Sequence, residues 1–234
     1  LKAQPYSAEA EHYLGRVALL RGDKSAARQH FLRAARLEPQ NGSYRMYVGW
    51  AALESNEFAN ALRNFKRAIK IDPSLGDAYW LRGRIELRMG AVRDAAADFE
   101  KALKLNPSRV EAYSFMAEAY DQLGKPRKAI EAYAKGVEAA PENASWWYRL
   151  GRLQLDQGQE ADATSSLTRA IALADASESP PAWASDGYRL LGDAHRAAGD
   201  QQQAIASYER YLEVAPADDV DREDVVSLIR RLKD

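Results

Sequence analysis

The sequence has 234 residues, of which 46% are hydrophobic, and this content excludes a disordered chain. Lys and Arg number 33 and Asp and Glu number 34, so the net charge of −1 gives no overall field that would attract nucleic acid or an anionic membrane surface. The absence of Cys excludes disulfides, thiolate metal sites and cysteine nucleophiles, and it fits the cytosol and the periplasm alike.

No stretch approaches the roughly 20 apolar residues that cross a bilayer, and the N-terminus lacks the pattern of a signal peptide. We therefore expect no direct membrane insertion. The sequence begins at Leu1 instead of Met, so we expect a fragment or a processed form.

A period of 34 residues runs through the sequence. Prolines keep this step at Pro39, Pro73, Pro107 and Pro141. Small residues keep it at Gly15, Gly49, Gly83, Ala117 and Gly151, and again at Ala27, Ala61, Ala95, Ala129 and Ala163. Aromatic residues keep it at Phe31, Phe65, Phe99 and Tyr133. Four registers with one period predict a repeated structural unit.

Each unit is predicted to contain two helices, for example 77–88 and 91–105, because apolar residues recur three and four positions apart. The turn after each first helix carries a residue that tolerates positive φ. These residues are Gly22, Asn56, Gly90, Gly124, Gly158 and Gly199. The prolines end the second helices, since proline lacks an N–H and disfavours helix in the preceding residue.

Glycine in the middle of the first helices, as at Gly83, costs about 1 kcal/mol relative to Ala. A close approach of the second helix would offset this cost. We expect Ala95 to lie opposite Gly83 and Phe99 to fill the space beside the contact, and the other units to repeat this arrangement.

The sequence resembles the tetratricopeptide repeat family. The resemblance lies in the 34-residue period, in Leu14-Gly15, Leu150-Gly151 and Leu191-Gly192, and in the series Ala61, Phe65, Ala68 and Pro73. It implies an all-α fold, a right-handed α-solenoid (superhelix) of antiparallel helix hairpins. Six repeats are predicted at 8–41, 42–75, 76–109, 110–143, 144–177 and 185–218, after an N-terminal lead-in at 1–7. Three residues depart from the family pattern: Arg82, Glu86 and Gly136.

A seven-residue insertion, 178–184, separates the last two repeats. Either a helix that begins near Pro180 or Pro181 lengthens the next first helix, or the insertion is an irregular loop. Trp183 is then either a packing residue at the helix end or a ligand contact. The segment 219–234 carries one apolar stripe, Val225, Leu228, Ile229 and Leu232, and is predicted to be a C-terminal capping helix.

Family members bind partners in a concave groove that the first helices line. The resemblance, combined with helical phase, places ten residues of this sequence in that groove. They are His12, Arg16, Met46, Trp50, Trp80, Arg84, Arg88, Tyr148, Arg152 and Arg189. Trp and Arg concentrate binding energy and Arg pairs with carboxylates, so Trp50, Trp80 and Arg84 favour an acidic peptide or helix with aromatic residues. The competing interpretation is that these side chains pack on neighbouring helices.

The predicted function is a non-catalytic scaffold that binds a partner protein, peptide or helix. The alternative is a regulatory or tethering segment of a larger enzyme or of a membrane or secretion assembly. The three histidines His12, His30 and His195 are isolated and no Cys could complete a metal site, so we expect no metal. No Gly-rich phosphate loop follows a strand, and we expect no cofactor and no enzyme activity. RNA binding is disfavoured, because neither net positive charge nor a base-reading pair of residues is present.

Overall fold

The computed structural model describes residues 7–234, and every regular element in this range is an α-helix. The prediction of an all-α solenoid of helix hairpins is confirmed. The thirteen helices in this range are α1 (Ala8–Leu20), α2 (Lys24–Leu37), α3 (Gly42–Glu54), α4 (Phe58–Ile71), α5 (Gly76–Arg88), α6 (Val92–Leu105), α7 (Glu111–Gln122), α8 (Pro126–Ala139), α9 (Ala144–Asp156), α10 (Glu160–Asp175), α11 (Ala184–Ala197), α12 (Gln201–Val214) and α13 (Arg222–Lys233).

Of the predicted lead-in 1–7, residues 1–6 lie outside the described residues. Ser7 caps α1, because its hydroxyl accepts a hydrogen bond from the Ala10 N–H. The chain divides into two compact units, with the boundary between Leu123 and Gly124. Unit 1 contains α1 to α7 and unit 2 contains α8 to α13.

The turns between the first and second helices adopt the predicted conformation. Positive φ occurs at Gly22, Asn56, Gly90, Gly124, Gly158 and Gly199, as predicted. Among residues 7–234, Asn56, with a φ of 59°, is the one residue other than glycine that has a positive φ. Asn tolerates the left-handed region better than most residues, so the second repeat keeps its turn without glycine.

In unit 1 the first helices α1, α3 and α5 pack against their own second helices, and each second helix packs against the next first helix. Phe31, Phe65 and Phe99 are fully buried in the hairpins. A Cβ added to Gly15 would lie 2.5 Å from the ring of Phe31, and one added to Gly83 would lie 2.9 Å from the ring of Phe99. The aromatic ring, and not the opposite alanine, therefore occupies the space that the glycine leaves.

Two of the departures from the family pattern, Arg82 and Glu86, meet a third charged residue inside unit 1. Arg82 donates two hydrogen bonds of 2.6 Å to the carboxylate of Asp98, and its guanidinium lies 3.6 Å from Glu86. Burial raises the pKa of Glu86 to about 7, and the negative charge of Asp98 adds to this rise while Arg82 opposes it. A cluster of three charged residues therefore lies inside the hairpin of α5 and α6.

In unit 2 each of α8 to α12 packs against the helix that follows it. The core contains Leu167, Tyr208 and Tyr211, and α13 covers its end with Val225 and Ile229. Residues 178–183 of the insertion form an irregular loop, because α10 extends to Asp175 and α11 begins only at Ala184, the last residue of the insertion. The alternative of a helix beginning at Pro180 or Pro181 is therefore wrong. Pro181 keeps Pro180 out of the helical conformation, because proline disfavours helix in the residue before it.

Candidate functional site

The first helices α1, α3 and α5 of unit 1 carry two rows of predicted groove residues at the 34-residue step. One row is His12, Met46 and Trp80, and the other is Arg16, Trp50 and Arg84. We call the surface that these helices form the unit 1 face. Two hollows lie on it.

The first hollow, the Arg16 hollow, has a volume of about 310 Å³. Its lining is mainly apolar and consists of Arg16, Leu19, Leu20, Lys24, Trp50 and Glu54. The indole N–H of Trp50 donates a hydrogen bond of 3.2 Å to Oε1 of Glu54, one helical turn later. The Lys24 ammonium donates to the backbone carbonyl of Glu54. These bonds fix the wall of the hollow that Trp50 forms.

The second hollow, the Trp80 hollow, has a volume of about 320 Å³ and shares Trp50 and Glu54 with the first. Its complete lining is Met46, Tyr47, Trp50, Glu54, Asp77, Trp80, Leu81, Arg84 and Arg109. The guanidinium carbons of Arg84 and Arg109 lie 4.8 and 4.7 Å from the centroid of the Trp80 ring, within the range of cation–π attraction.

The cations of the Trp80 hollow differ in their charge partners. Arg109 forms an ion pair of 2.5 Å with Asp77. Arg84 is exposed and takes part in no ion pair among residues 7–234. Arg88, one turn later, is also exposed and lies 4.8 Å from the ring of Phe58. Arg84 at the hollow, and Arg88 one turn further along α5, are therefore guanidinium groups with no carboxylate bound to them among residues 7–234.

Two of the predicted groove residues are packed into unit 1. The ring of His12 lies among aromatic rings, with its centroid 4.3 Å from that of Tyr47 and 5.8 Å from that of Phe31. Burial lowers the pKa of His12, and the charge of Arg16 lowers it further. Met46 is 7% exposed and belongs to the core around Phe65, although it also forms part of the wall of the Trp80 hollow.

The predicted residues of unit 2 meet partners inside that unit. The hydroxyl of Tyr148 donates a hydrogen bond of 2.6 Å to Asp186, and its ring stacks on Trp183 with centroids 4.6 Å apart. Burial and Asp186 raise the pKa of Tyr148 to about 12. Trp183, whose indole N–H also donates to Ser145, is a packing residue.

Arg189 is surrounded by carboxylates. It forms a short ion pair with Asp186, and lies 3.4 Å from Asp193 and 3.2 Å from Asp221. Arg152 is exposed beside Tyr148, where its charge opposes the rise in the pKa of that hydroxyl. The charges of Arg189 are thus compensated within unit 2.

Sequence reasoning did not assign Lys24, Glu54, Asp77 and Arg109 to the groove, and these four charged residues line the two hollows. Lys24 begins a second helix and Arg109 lies in the turn before α7, whereas the prediction considered only inward places of first helices. The spacing of Trp50 and Glu54, four residues apart on one helix, was a usable signal for Glu54.

No group of His, Cys, Asp and Glu among residues 7–234 is arranged to hold a metal ion. Within the same residues, no helix combines the length and the apolar character that crossing a bilayer requires.

Successive two-helix hairpins that follow a 34-residue period are the architecture of a helical repeat protein. Models of the tetratricopeptide repeat match residues 48–110, 86–153 and 142–217, so that together they extend from residue 48 to residue 217. The chain belongs to the tetratricopeptide repeat family. No curated protein matches this sequence.

Several solved structures share the fold. YrrB has 15% sequence identity and a TM-score of 0.73, over 86% of this chain and 97% of that chain. PilF of Pseudomonas aeruginosa has 14% identity and a TM-score of 0.69, over 94% of this chain and 97% of that one. MamA of Desulfovibrio magneticus RS-1 has 23% identity and a TM-score of 0.65, over 74% and 97% of the two chains. At sequence identities this low, the similarity shows a shared fold and nothing more.

Proposed function

We propose that the chain is a non-catalytic scaffold whose unit 1 face binds an acidic peptide or helix of a partner protein. The observation that carries the proposal is the pair of adjacent hollows, about 310 and about 320 Å³, that share Trp50 and Glu54. Two apolar side chains of one ligand would enter the two hollows, and its carboxylates would face Arg84, Arg16 and Arg88.

The shape of the hollows supports a peptide ligand. A pocket of about 300 Å³ is at the small end of the range for small-molecule sites and suits one large side chain. Trp50 and Trp80 offer rigid aromatic surface, which binds apolar groups with little loss of conformational entropy.

The charge of the hollows supports an acidic ligand. The carboxylate of Asp77 is neutralised by Arg109, which leaves Glu54 against Arg16, Lys24 and Arg84. The net charge of these four side chains is therefore positive. Carboxylates of a ligand would form bidentate pairs with the guanidinium groups, and these pairs would be stronger where the hollow excludes water.

The solved structure of YrrB, similar in fold, is described as a TPR protein with an unusual peptide-binding site. That description supports peptide binding for a chain of this architecture.

The proposal can be tested by selecting ligands from a displayed library of random peptides with the whole chain as bait. We expect selected peptides to carry two apolar or aromatic residues and acidic residues beside them. Substitution Arg84→Glu should weaken these peptides at least about tenfold, equivalent to about 1.4 kcal/mol, in fluorescence anisotropy titrations. Combined substitution of Trp50, Trp80 and Arg84 by Ala should abolish binding.

The matched control is Arg93→Glu, which makes the same charge change at an exposed residue of the second helix α6. It should alter binding less than about twofold at physiological salt. Equal losses in the two variants, or peptides that bind the triple variant undiminished while circular dichroism shows it folded, would overturn the proposal.

A further inference from the structure

A recurring contact joins the two helices of several hairpins. A cation of the second helix lies against the residue that stands 22 positions earlier, on the first helix. Between α1 and α2 this earlier residue is acidic, and Oε1 of Glu11 lies 3.6 Å from the guanidinium of Arg33. Between α5 and α6 it is aromatic, and the Lys101 ammonium lies 6.0 Å from the centroid of the Tyr79 ring.

Unit 2 has the same contact between α11 and α12. The guanidinium carbon of Arg210 lies 5.7 Å from the centroid of the Tyr188 ring, and Tyr188 again stands 22 positions earlier. The cation of each of these three hairpins therefore meets either a carboxylate or the electron-rich face of a ring, and both attract it.

The hairpin of α3 and α4 differs. Arg45 stands 34 residues after Glu11, and the cation 22 positions later is Arg67. Neither arginine forms an ion pair among residues 7–234, and the Nε–H of Arg45 is buried without a hydrogen-bond acceptor in the same range. Burial lowers the pKa of Arg45, and the charge of Arg67 lowers it further. Two like charges thus face each other where α1 and α2 form an ion pair.

More positive charge surrounds this pair. Arg63 and Lys70 share one side of α4 with Arg67, because they lie four residues before it and three residues after it. All three side chains are exposed, and α4 contains no Asp or Glu. This side of the helix therefore carries three cations and no carboxylate.

The acidic residues that flank α4 are bonded to other groups. Glu57, before the helix, pairs with Arg28 at 2.8 Å. Asp72, after the helix, accepts hydrogen bonds from the backbone N–H and the hydroxyl of Ser74, and these bonds lower its pKa. Neither carboxylate bonds to Arg45 or Arg67.

We propose that Arg45 and Arg67 together bind a doubly charged oxyanion, the phosphate group of a phosphomonoester. Each guanidinium offers paired N–H donors that match the oxygens of a phosphate. An anion between the two groups removes their repulsion and supplies an acceptor for the Nε–H of Arg45. The added charge of Arg63 and Lys70 favours a dianion over a singly charged carboxylate. The site is separate from the two hollows, since it shares no lining residue with them.

Calorimetric titration of the whole chain with glycerol phosphate tests the proposal at about pH 7.5, where a phosphomonoester with a second pKa of about 6 is mainly the dianion. We expect one glycerol phosphate to bind per chain. Acetate at equal ionic strength should bind at least about tenfold more weakly. The melting temperature of the chain should rise with the concentration of glycerol phosphate, because the ligand binds the folded state.

Two variants replace the unusual arginine by the residues of neighbouring hairpins. Arg45→Tyr introduces the ring that Tyr79 provides next to Lys101, and it should raise the dissociation constant at least about tenfold. Arg45→Glu introduces the carboxylate that Glu11 provides, so it should abolish binding and raise the melting temperature of the ligand-free chain. The matched control Arg93→Glu, on the exposed surface of α6, should change the dissociation constant less than about twofold.

The phosphate group can belong to a soluble phosphomonoester or to a lipid headgroup, and vesicles distinguish these sources. Sedimentation of the chain with phosphatidic acid vesicles, but not with phosphatidylcholine vesicles, would assign the site to a lipid if Arg45→Tyr abolishes it. Binding of glycerol phosphate without vesicle binding would assign the site to a soluble ligand. The proposal is overturned if the native chain binds no glycerol phosphate, if acetate binds as tightly, or if folded Arg45→Tyr binds as well as the native chain.

Discussion

The first helices of units 1 and 2 both carry predicted groove arginines, Arg84 and Arg189, which lie at different places of the predicted repeat and differ in their surroundings. In unit 1, Arg84 has no acidic partner among residues 7–234 and borders a hollow beside Trp80. In unit 2, Arg189 is in contact with three aspartates and Tyr148 is hydrogen-bonded to Asp186. The comparison teaches that a place in the repeat indicates where a side chain lies, whereas its internal partners decide whether it remains free for a ligand.

A second difference lies in the hairpins themselves. Glu86 and Asp98 of unit 1 have as their equivalents, 68 residues later, Gln154 and Ser166 of unit 2. The serine hydroxyl donates a hydrogen bond of 2.7 Å to the Gln154 amide oxygen, so this buried pair is neutral. Arg82, the cation of the unit 1 cluster, is replaced by Leu150. One framework therefore accommodates an ionic cluster or a neutral pair at the same place.

The largest effect on stability is expected where the two units agree. Ala95 and Ala163, at equivalent places, are both fully buried. Substitution of either by Leu should overpack its hairpin and lower the free energy of unfolding by roughly 1 to 3 kcal/mol. Urea unfolding followed by circular dichroism measures both losses. An unchanged midpoint in either variant would mean that its hairpin core is looser than the burial of the alanine indicates.

A smaller effect should separate the two arginines. Arg189→Met leaves three carboxylates close together and should destabilise the chain by about 1 to 2 kcal/mol, less than for a fully buried pair because Arg189 is 27% exposed. Arg84→Met should change stability by less than about 0.5 kcal/mol and act on ligand binding instead. Thermal melts of the two variants, run side by side, check this contrast. Equal melting temperatures would remove the distinction between paired and unpaired arginine.

The smallest effect concerns pH and Glu86. The pKa of Glu86 is about 7 in the folded chain, above the ordinary value of 4.5, so the folded state holds this proton more tightly than the unfolded state. The contribution of Glu86 to stability is therefore full below pH 4.5 and is lost as the pH rises through 7.

Glu86→Gln imitates the protonated form, and it should stabilise the chain at pH 8 by up to about 1 kcal/mol and have little effect at pH 5. Urea unfolding of the native chain and of Glu86→Gln at pH 5 and at pH 8 measures this change in the free energy of unfolding. Gln154→Glu, the reciprocal change in unit 2, should introduce a loss of stability at pH 8 that the native chain lacks. A stabilisation by Glu86→Gln that is equal at both pH values would contradict the assignment to titration.

The sequence predicted the helices well, because their signals are local and repeated. Positive φ at Asn56 followed from its place in the 34-residue period, and the ends of the second helices followed from the prolines. The insertion 178–184 remained undecided in the sequence because two prolines fit both a helix start and a loop. The division into six repeats and the groove assignment stay predictions.

The candidate site was less predictable, because pairing depends on the arrangement in space. Arg109 meets Asp77 from 32 positions away, and Arg189 meets Asp221 across the same number of positions. The residue spacing within a single helix cannot predict contacts between residues this far apart in the sequence. The predicted residues Trp50, Trp80 and Arg84 do line one hollow together, whereas His12 is enclosed by aromatic rings and Arg189 is held by its aspartates.

The indole of Trp50 forms a wall of both hollows and is held there by Glu54. A rotation of this side chain changes the shape of the two spaces together. If a ligand group in one hollow turns Trp50, it alters the affinity of the other hollow, and thermodynamic linkage makes the factor equal in both directions. A ligand with two anchors would bind with a free energy that differs from the sum of its separate halves, and Trp50 would set the sign of that difference.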